Sequence, residues 1–354
     1  VTRLISADLD ALVVSDLVNV RYLSGFTGSN AALLVFADGG SPVLATDSRY
    51  RTQVARQAPD VESAIERACA RHLVERAVAA GARRIGFESH VVTVDGYDAL
   101  AGALEGCNDA ELVRASSTVE ALREVKDSGE VALLRLACGA ADAALAALVD
   151  RGALRPGRTE RDVARELEAL MLDHGADGPS FETIVAAGAN SAVPHHRPTD
   201  AELADGDFVK IDFGAVVGGY HSDTTRTFVL GSAAAWQREI YALVADAQRA
   251  GLEALECGTP LADVDAAARR IIADAGHADH FGHGLGHGVG LQIHEAPGIG
   301  SGAVGSLRSG SVVTVEPGVY LPGRGGVRIE DTVLVGERGA ESLSRFSKDL
   351  AVLH

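Results

Sequence analysis

The chain of 354 residues carries 32 Lys and Arg against 49 Asp and Glu, a formal charge of −17. A field of that sign repels a phosphate backbone and argues against nucleic acid as a partner, while the length suits two domains with a sizeable core. The opening VTRLISADLDALVVS has no uninterrupted apolar stretch of signal length, and no run approaches the roughly 18 apolar residues of a membrane span.

From Asp10 to Thr46, short apolar runs (ALVVS, NVRYLSGF, NAALLVF, PVLAT) alternate with turn residues and read as strands. Arg49–Gln57 and Ala68–Ala80 read as helices, Arg84–Phe87 as a strand and Asp95–Leu104 as a third helix. This alternation predicts an α/β domain over residues 1–120, with a boundary near Ser116–Lys126 and a second domain over 121–354. Asp127 and Glu130 stand at capping-box spacing ahead of a helix whose buried stripe is Val131, Leu134, Cys138, Ala141, Leu145 and Leu148. Thr159 and Asp162 open a further helix that Gly175 ends. Cys69, Cys107, Cys138 and Cys257 form no CxxC and sit in alanine-rich, helix-like surroundings, which reads as reduced core thiols in a cytoplasmic protein.

Residues Asp207–Val217 and Gly219–Leu230 are β-branched and flank a turn signal. A turn centred on Val217-Gly218 sets Asp212 directly opposite Asp223. Bare carboxylates so placed repel, so a cation between them or protonation of one is expected. Two later strands repeat the oddity: Ser311–Glu316 ends in an acid, and GVRIEDTVLV holds Glu330 inside an apolar run at the same parity as Arg328.

The stretch GHGLGHGVGLQIHE has glycine at every even position from Gly282 to Gly290, which disfavours a helix by about 1 kcal/mol per interior glycine. Extended, it places His283, Leu285, His287, Val289 and Leu291 on one face and a bare glycine surface, open to close approach, on the other. Its His-Glu pair, His294 and Glu295, is followed by Ala-Pro-Gly, so the helical zinc motif HExxH is absent. On spacing alone either His283 or His287 could bind a metal. Asp212, Asp223, Glu316 and Glu330 with one neutral imidazole suit two divalent cations, and such an oxygen-rich set with one nitrogen suits Mn²⁺, Co²⁺, Zn²⁺ or Fe²⁺.

IDFGAVVGGYHSDTTRTF, HGLGHGVGLQIHE, VEPGVY and GVRIED, in that order, resemble the proline-specific branch of the pita-bread metallopeptidases, the Xaa-Pro dipeptidases (prolidases) and Xaa-Pro aminopeptidases. The likeness begins at NVRYLSGFTGS, similar to the creatinase-type N-terminal domain, and runs through REVKDSGEVALLR to the end. It implies an α/β (α+β) chain with a small creatinase-like domain ahead of a pita-bread catalytic domain. It further implies that Asp212 binds one ion, His287 and Glu316 the other, and that Asp223 and Glu330 bridge both, Mn²⁺ being the expected metal. Glu316 would handle the proton. His195, His283 and His294 match the family's substrate-side imidazoles, Arg328 the arginine supporting the bridging glutamate, and His196 stands where the family more often has a small residue.

The expected activity is hydrolysis of the Xaa-Pro bond of short proline-containing peptides by a homodimer, as a dipeptidase, with an aminopeptidase on longer peptides as the alternative. A metal-free creatinase-like enzyme and a non-catalytic module share the fold, but no ligand position is substituted here. Methionine aminopeptidase lacks a comparable N-terminal domain and the YHSDTTRTF context.

Overall fold

Ala11–Val14 (β1) has no polar residue at alternate positions because both of its faces are covered. The computed structural model describes residues 1–354, which divide into two units, Val1–Arg123 and Glu124–His354. The first is built on one sheet of β1, β2 (Ala31–Phe36), β3 (Val43–Thr46), β4 (Glu62–Ile65), β5 (Arg84–Phe87) and β6 (Glu111–Arg114), in the spatial order β4-β3-β2-β1-β5-β6. The β1–β2 and β2–β3 pairs are antiparallel and the others parallel. Six helices surround it: α1 (Thr2–Ser6), α2 (Leu17–Ser24), α3 (Arg51–Gln57), α4 (Cys69–Ala79), α5 (Val94–Ala101) and α6 (Glu120–Arg123). Ala11, Val13, Leu34 and Ala45 pack with Leu73 and Ala77 of α4, whereas Leu12, Val14, Leu33 and Leu44 pack with Val20 of α2 and Val54 of α3.

One expected strand is a helix. NVRYLSGF falls within and just after α2, because Asp16 accepts from the Val18 amide as N-cap and Gly25, at φ 73°, ends the helix in the left-handed conformation. Both signals stand in the sequence, outweighed there by the reading of a short apolar run. Strands β4 and β6 were not foreseen; they are short, half-exposed edges with polar residues, and only their partners make them strands.

The second unit pairs helices over sheets twice. Helices α7 (Ser128–Asp150) and α8 (Glu160–Asp173) share a core with β8 (Ile184–Ala187), β9 (Phe208–Phe213) and β12 (Thr224–Leu230), through Leu145, Leu167, Val185, Ile211 and Phe228. The capping box at Asp127 and Glu130 forms, and Thr159 caps α8. By length and composition α7 could cross a bilayer, contrary to the sequence reading; here Leu134, Cys138, Ala141, Leu145 and Leu148 are all fully buried in the protein. Helices α9 (Ala235–Glu253) and α10 (Leu261–Asp274) share the other core with β14 (Glu295–Ile299), β15 (Val312–Val315) and β18 (Asp331–Gly336), and β13 (Gly286–Gly288) pairs between β14 and β15. Strands β7 (Gly178–Pro179), β10 (Ala215–Val217) and β11 (Tyr220–His221) form a small sheet, and β16 (Gly318–Leu321) pairs with β17 (Gly325–Arg328). Strands β19 (Gly339–Ser342) and β20 (Val352–Leu353) complete the two larger sheets, ordered β14-β13-β15-β18-β19 and β20-β12-β9-β8.

The thiol reading holds only in part. Cys69 and Cys138 are buried, Cys107 is half-buried and Cys257 is exposed, all four unpaired.

Candidate metal centre

The hairpin that carries the two aspartates turns at Gly218-Gly219, at φ 56° and 82°, rather than at Val217-Gly218. A two-residue turn of this hand needs positive φ at both centres, which glycine accepts and a β-branched valine resists. The register therefore moves: Asp212 pairs with Thr225, not with Asp223. Both carboxylates nevertheless line one pocket of ≈ 270 Å³, with His195, His287, His294, Glu316 and Glu330.

The other acids arrive at strand ends. Glu316 follows β15, and Glu330 lies in the break between β17 and β18, where one continuous strand was expected. Glu330 is anchored there: its amide donates to the Thr225 carbonyl at 3.1 Å, and its Oε2 accepts from Thr225 Oγ1 at 2.6 Å.

His287 sits in β13, between glycines packed against backbone. A Cβ on Gly286 would meet the Thr314 carbonyl oxygen at 2.0 Å, and one on Gly288 the Ala296 oxygen at 2.1 Å. The close approach expected of the glycine surface is thus real. The long alternating strand is not: the paired segment is three residues, its register shifts after His287, and Leu285 enters the apolar core while His283 and His287 line cavities.

Three candidate ligand groups, on Asp223, His287 and Glu330, lie within 4.8 Å of one another. His287 Nε2 is 3.5 Å from Asp223 Oδ2 and 3.4 Å from Glu316 Oε1. The Thr314 hydroxyl donates to Glu316 Oε1 at 3.2 Å and accepts from the His287 amide at 3.0 Å, joining two neighbouring strands at the site. Arg328 Nη2 pairs with Asp212 Oδ2, leaving the buried Asp212 Oδ1 with no partner in the protein. An orphaned buried oxygen beside three further acids and an imidazole is what a cation would satisfy.

The electrostatics agree. Burial first, then the charges of Glu330, Asp212 and Glu316, pushes Asp223 well above the usual carboxylate range, and burial with Glu316 and Asp212 does the same to Glu330. Burial pushes Glu316 up to about 7 and His287 down to about 4. Burial opposes the charge on Arg328, but Tyr320, Asp212, Glu316 and Glu330 together hold it protonated. These residues form a metal-binding site in which burial disfavours bare carboxylates that no cation balances.

His283 is engaged on both ring nitrogens, Nδ1 with the Gly284 carbonyl at 2.8 Å and Nε2 with the Tyr320 hydroxyl at 2.9 Å. That hydroxyl also accepts from Arg328 Nη1 at 2.8 Å. His294 stacks edge-on against His287, ring centroids 4.4 Å apart, and His195 lies on the loop after Pro194. Sequence reasoning passed over Thr225, Thr314 and Tyr320, whose hydroxyls tie the ligands to the scaffold. Tyr320 stands in the quoted VEPGVY, but nothing in its spacing marks a hydrogen-bond role.

The same arrangement has relatives. The pattern of metallopeptidase family M24 matches residues 132–337, and that of the creatinase/prolidase N-terminal domain residues 2–125. The Bacillus subtilis peptidase YqhT is 38% identical over 347 residues, 98% of this chain and 96% of that protein. The Xaa-Pro dipeptidase of Pyrococcus horikoshii is 33% identical over 342 residues, 97% of this chain and 94% of that protein. Among solved structures, an Xaa-Pro dipeptidase from Bacillus anthracis superposes with a TM-score of 0.94 at 36% identity, covering 99% of this chain and 97% of that one. An X-Pro aminopeptidase from Thermotoga maritima gives 0.89 at 32% identity, with 98% of each chain covered. With its ligand-type residues gathered in one buried pocket and its likeness running end to end, the chain belongs to metallopeptidase family M24, as a metal-dependent exopeptidase of the Xaa-Pro dipeptidase and aminopeptidase branch with a creatinase-like N-terminal domain and a pita-bread catalytic domain.

Proposed function

We propose that this peptidase is an Xaa-Pro dipeptidase that works with two divalent ions, Mn²⁺ before Co²⁺, Zn²⁺ or Fe²⁺, held by Asp212, Asp223, His287, Glu316 and Glu330. The observation that carries this reading is the charge balance of the pocket. Asp212, Asp223, Glu316 and Glu330 face one guanidinium, Arg328, and the imidazole of His287 is kept neutral by burial. Three negative charges are then uncompensated when the acids ionise; one divalent ion leaves a deficit and two remove it.

Asp212 would hold one ion and His287 with Glu316 the other, Asp223 and Glu330 lying between them. Bound there, the ions supply a water acidified into the neutral range and polarise the scissile carbonyl. Glu316, beside His287 in the pocket, would take a proton from the nucleophile and return it to the departing amine. His195 and His294 reach the pocket as donors toward the charge that develops on the carbonyl oxygen, and His283, braced by Tyr320, shapes the adjoining wall. Arg328 keeps Asp212 oriented.

Dipeptides are favoured over longer peptides because the Bacillus anthracis and Pyrococcus horikoshii relatives are named Xaa-Pro dipeptidases. We place residues 1–120 as the creatinase-like domain and 121–354 as the catalytic one, in a cytoplasmic homodimer; the four unpaired thiols suit a reducing compartment. Turnover of Xaa-Pro dipeptides against Xaa-Pro-Yaa tripeptides by Mn²⁺-loaded protein tests the assignment. A preference for tripeptides would make the chain an aminopeptidase, and full activity in metal-free protein would remove the metal from the mechanism.

A further inference from the structure

His195 is the substrate-side imidazole with the least local support. It lies in a segment with no regular structure, 193–199, and its side chain is exposed, so nothing in its own backbone hydrogen bonding aims the ring. Its neighbour His196 is the opposite case. His196 Nε2 lies 2.8 Å from Oε2 of Glu160, the first residue of α8, whose carboxylate is fully buried.

Glu160 accepts four further hydrogen bonds. The Ala187 amide and Asn190 Nδ2 each donate to Oε1 at 2.9 Å, and the Thr199 amide and hydroxyl donate to Oε2 at 2.9 and 2.8 Å. All its donors come from residues 187–199. Burial works against ionisation of this carboxyl, but the donors together hold it below the usual range, so it remains an anion. From the other side, Lys210 Nζ donates to the carbonyls of Val193 and Pro194 at 2.6 and 3.2 Å.

We infer that Glu160 is a positioning residue for catalysis. By fixing His196 while Lys210 holds the Pro194 carbonyl, it leaves His195, the residue between those two, turned into the pocket, and by engaging His196 Nε2 it leaves His195, of two adjacent histidines lining the pocket, as the one that meets the substrate. The inference rests on the substrate-side role proposed for His195.

The test is a double-mutant cycle on metal-loaded protein with an Xaa-Pro dipeptide, using His196→Leu, Glu160→Gln and His196→Gln, each alone and with His195→Ala. Misplacement of a catalytic contact by about 1 Å lowers rates by up to ~100-fold, so His196→Leu and Glu160→Gln are expected to lower kcat ~10–100-fold with KM, bound metal and melting temperature little changed. His196→Gln, which can still donate to the carboxylate, should recover most of the rate. In the His195→Ala background the other substitutions should add nothing. Additive losses in that background, or full activity of His196→Leu, would overturn the inference. If Glu160→Gln does not fold, the His196 series decides alone. If His195→Ala itself leaves turnover unchanged, the role given to His195 fails instead.

Discussion

Lys126 Nζ lies 2.8 Å from Glu295 Oε1, with the two side chains 1% and 4% exposed. This buried pair ties the segment ahead of α7 to the residue that follows His294, and it packs against Gly290, where a Cβ would come within 2.3 Å of Glu295 Oε1. Removing one partner of a buried ion pair costs about 3–5 kcal/mol. Lys126→Met should therefore lower the urea midpoint by that measure and reduce turnover through displacement of His294. The double variant Lys126→Met/Glu295→Leu should regain most of the stability, and equal destabilisation by single and double variants would show that the pair carries no such penalty.

His287 and His283 should separate cleanly on metal content. Nε2 of His287 faces Asp223 and Glu316, whereas both nitrogens of His283 are spent on Gly284 and Tyr320. Outer partners of a metal site are worth ~10–100-fold in affinity, and a direct ligand more. His287→Ala is expected to lose metal and activity together. His283→Ala should keep near-normal metal and turn over more slowly. Elemental analysis beside steady-state kinetics checks both, and retention of metal by His287→Ala would displace it from the ligand set.

Acidity should affect the chelated protein in two opposite ways. His283 and His287, lowered to about 4 by burial, are neutral when folded; their contribution is present above about 6.5 and is lost as pH falls through 4. Asp223, Glu316 and Glu330 are raised, so the folded state binds more protons than the unfolded one, and stability is lost as pH climbs from the usual carboxylate value, through about 7 for Glu316, with Asp223 and Glu330 shifted in the same direction. Of the groups in the metal centre, only the acids act above 6.5. Metal-free protein should thus melt lower at pH 8.5 than at pH 6.5, and saturating Mn²⁺ should abolish the difference. A melting temperature that rises over that interval without metal would contradict the assigned burial of the acids.

Gly288→Ala should behave as a metal-site variant although glycine binds nothing. Its Cβ would stand 2.1 Å from the Ala296 carbonyl oxygen, so backbone must move beside His287. Overpacking of this kind costs about 1–3 kcal/mol. Reduced Mn²⁺ affinity together with a lower denaturation midpoint is expected, and calorimetric titration showing unchanged affinity would mean the strand absorbs the methyl without shifting the ligand.

Much of the catalytic unit was legible because its chemistry breaks local rules. Acids inside apolar strands and a glycine at every second position are costly unless something compensates them, so Asp212, Asp223, Glu330 and the run from Gly282 to Gly290 announce themselves. Helices announced themselves through caps at Asp127 and Thr159. What was misread were competitions between local signals: at Asp16 to Gly25 the caps prevailed over a short apolar run, and at Val217 to Gly219 the demand for two positive φ angles moved the turn by one residue.

By itself the sequence determined the two-part organisation, the acidic, oxygen-rich character of the centre and the candidate side chains, because these depend on composition, periodicity and residue type. The tertiary structure alone decided which groups meet: Thr225 opposite Asp212, Tyr320 between His283 and Arg328, Glu160 beneath His196 and Lys126 against Glu295. Those partners are far apart along the chain, and no local propensity encodes a contact made only when two sheets and their helices pack. The buried site, once formed, also set which groups are charged, since desolvation raises the acids and lowers the imidazoles only after water is excluded.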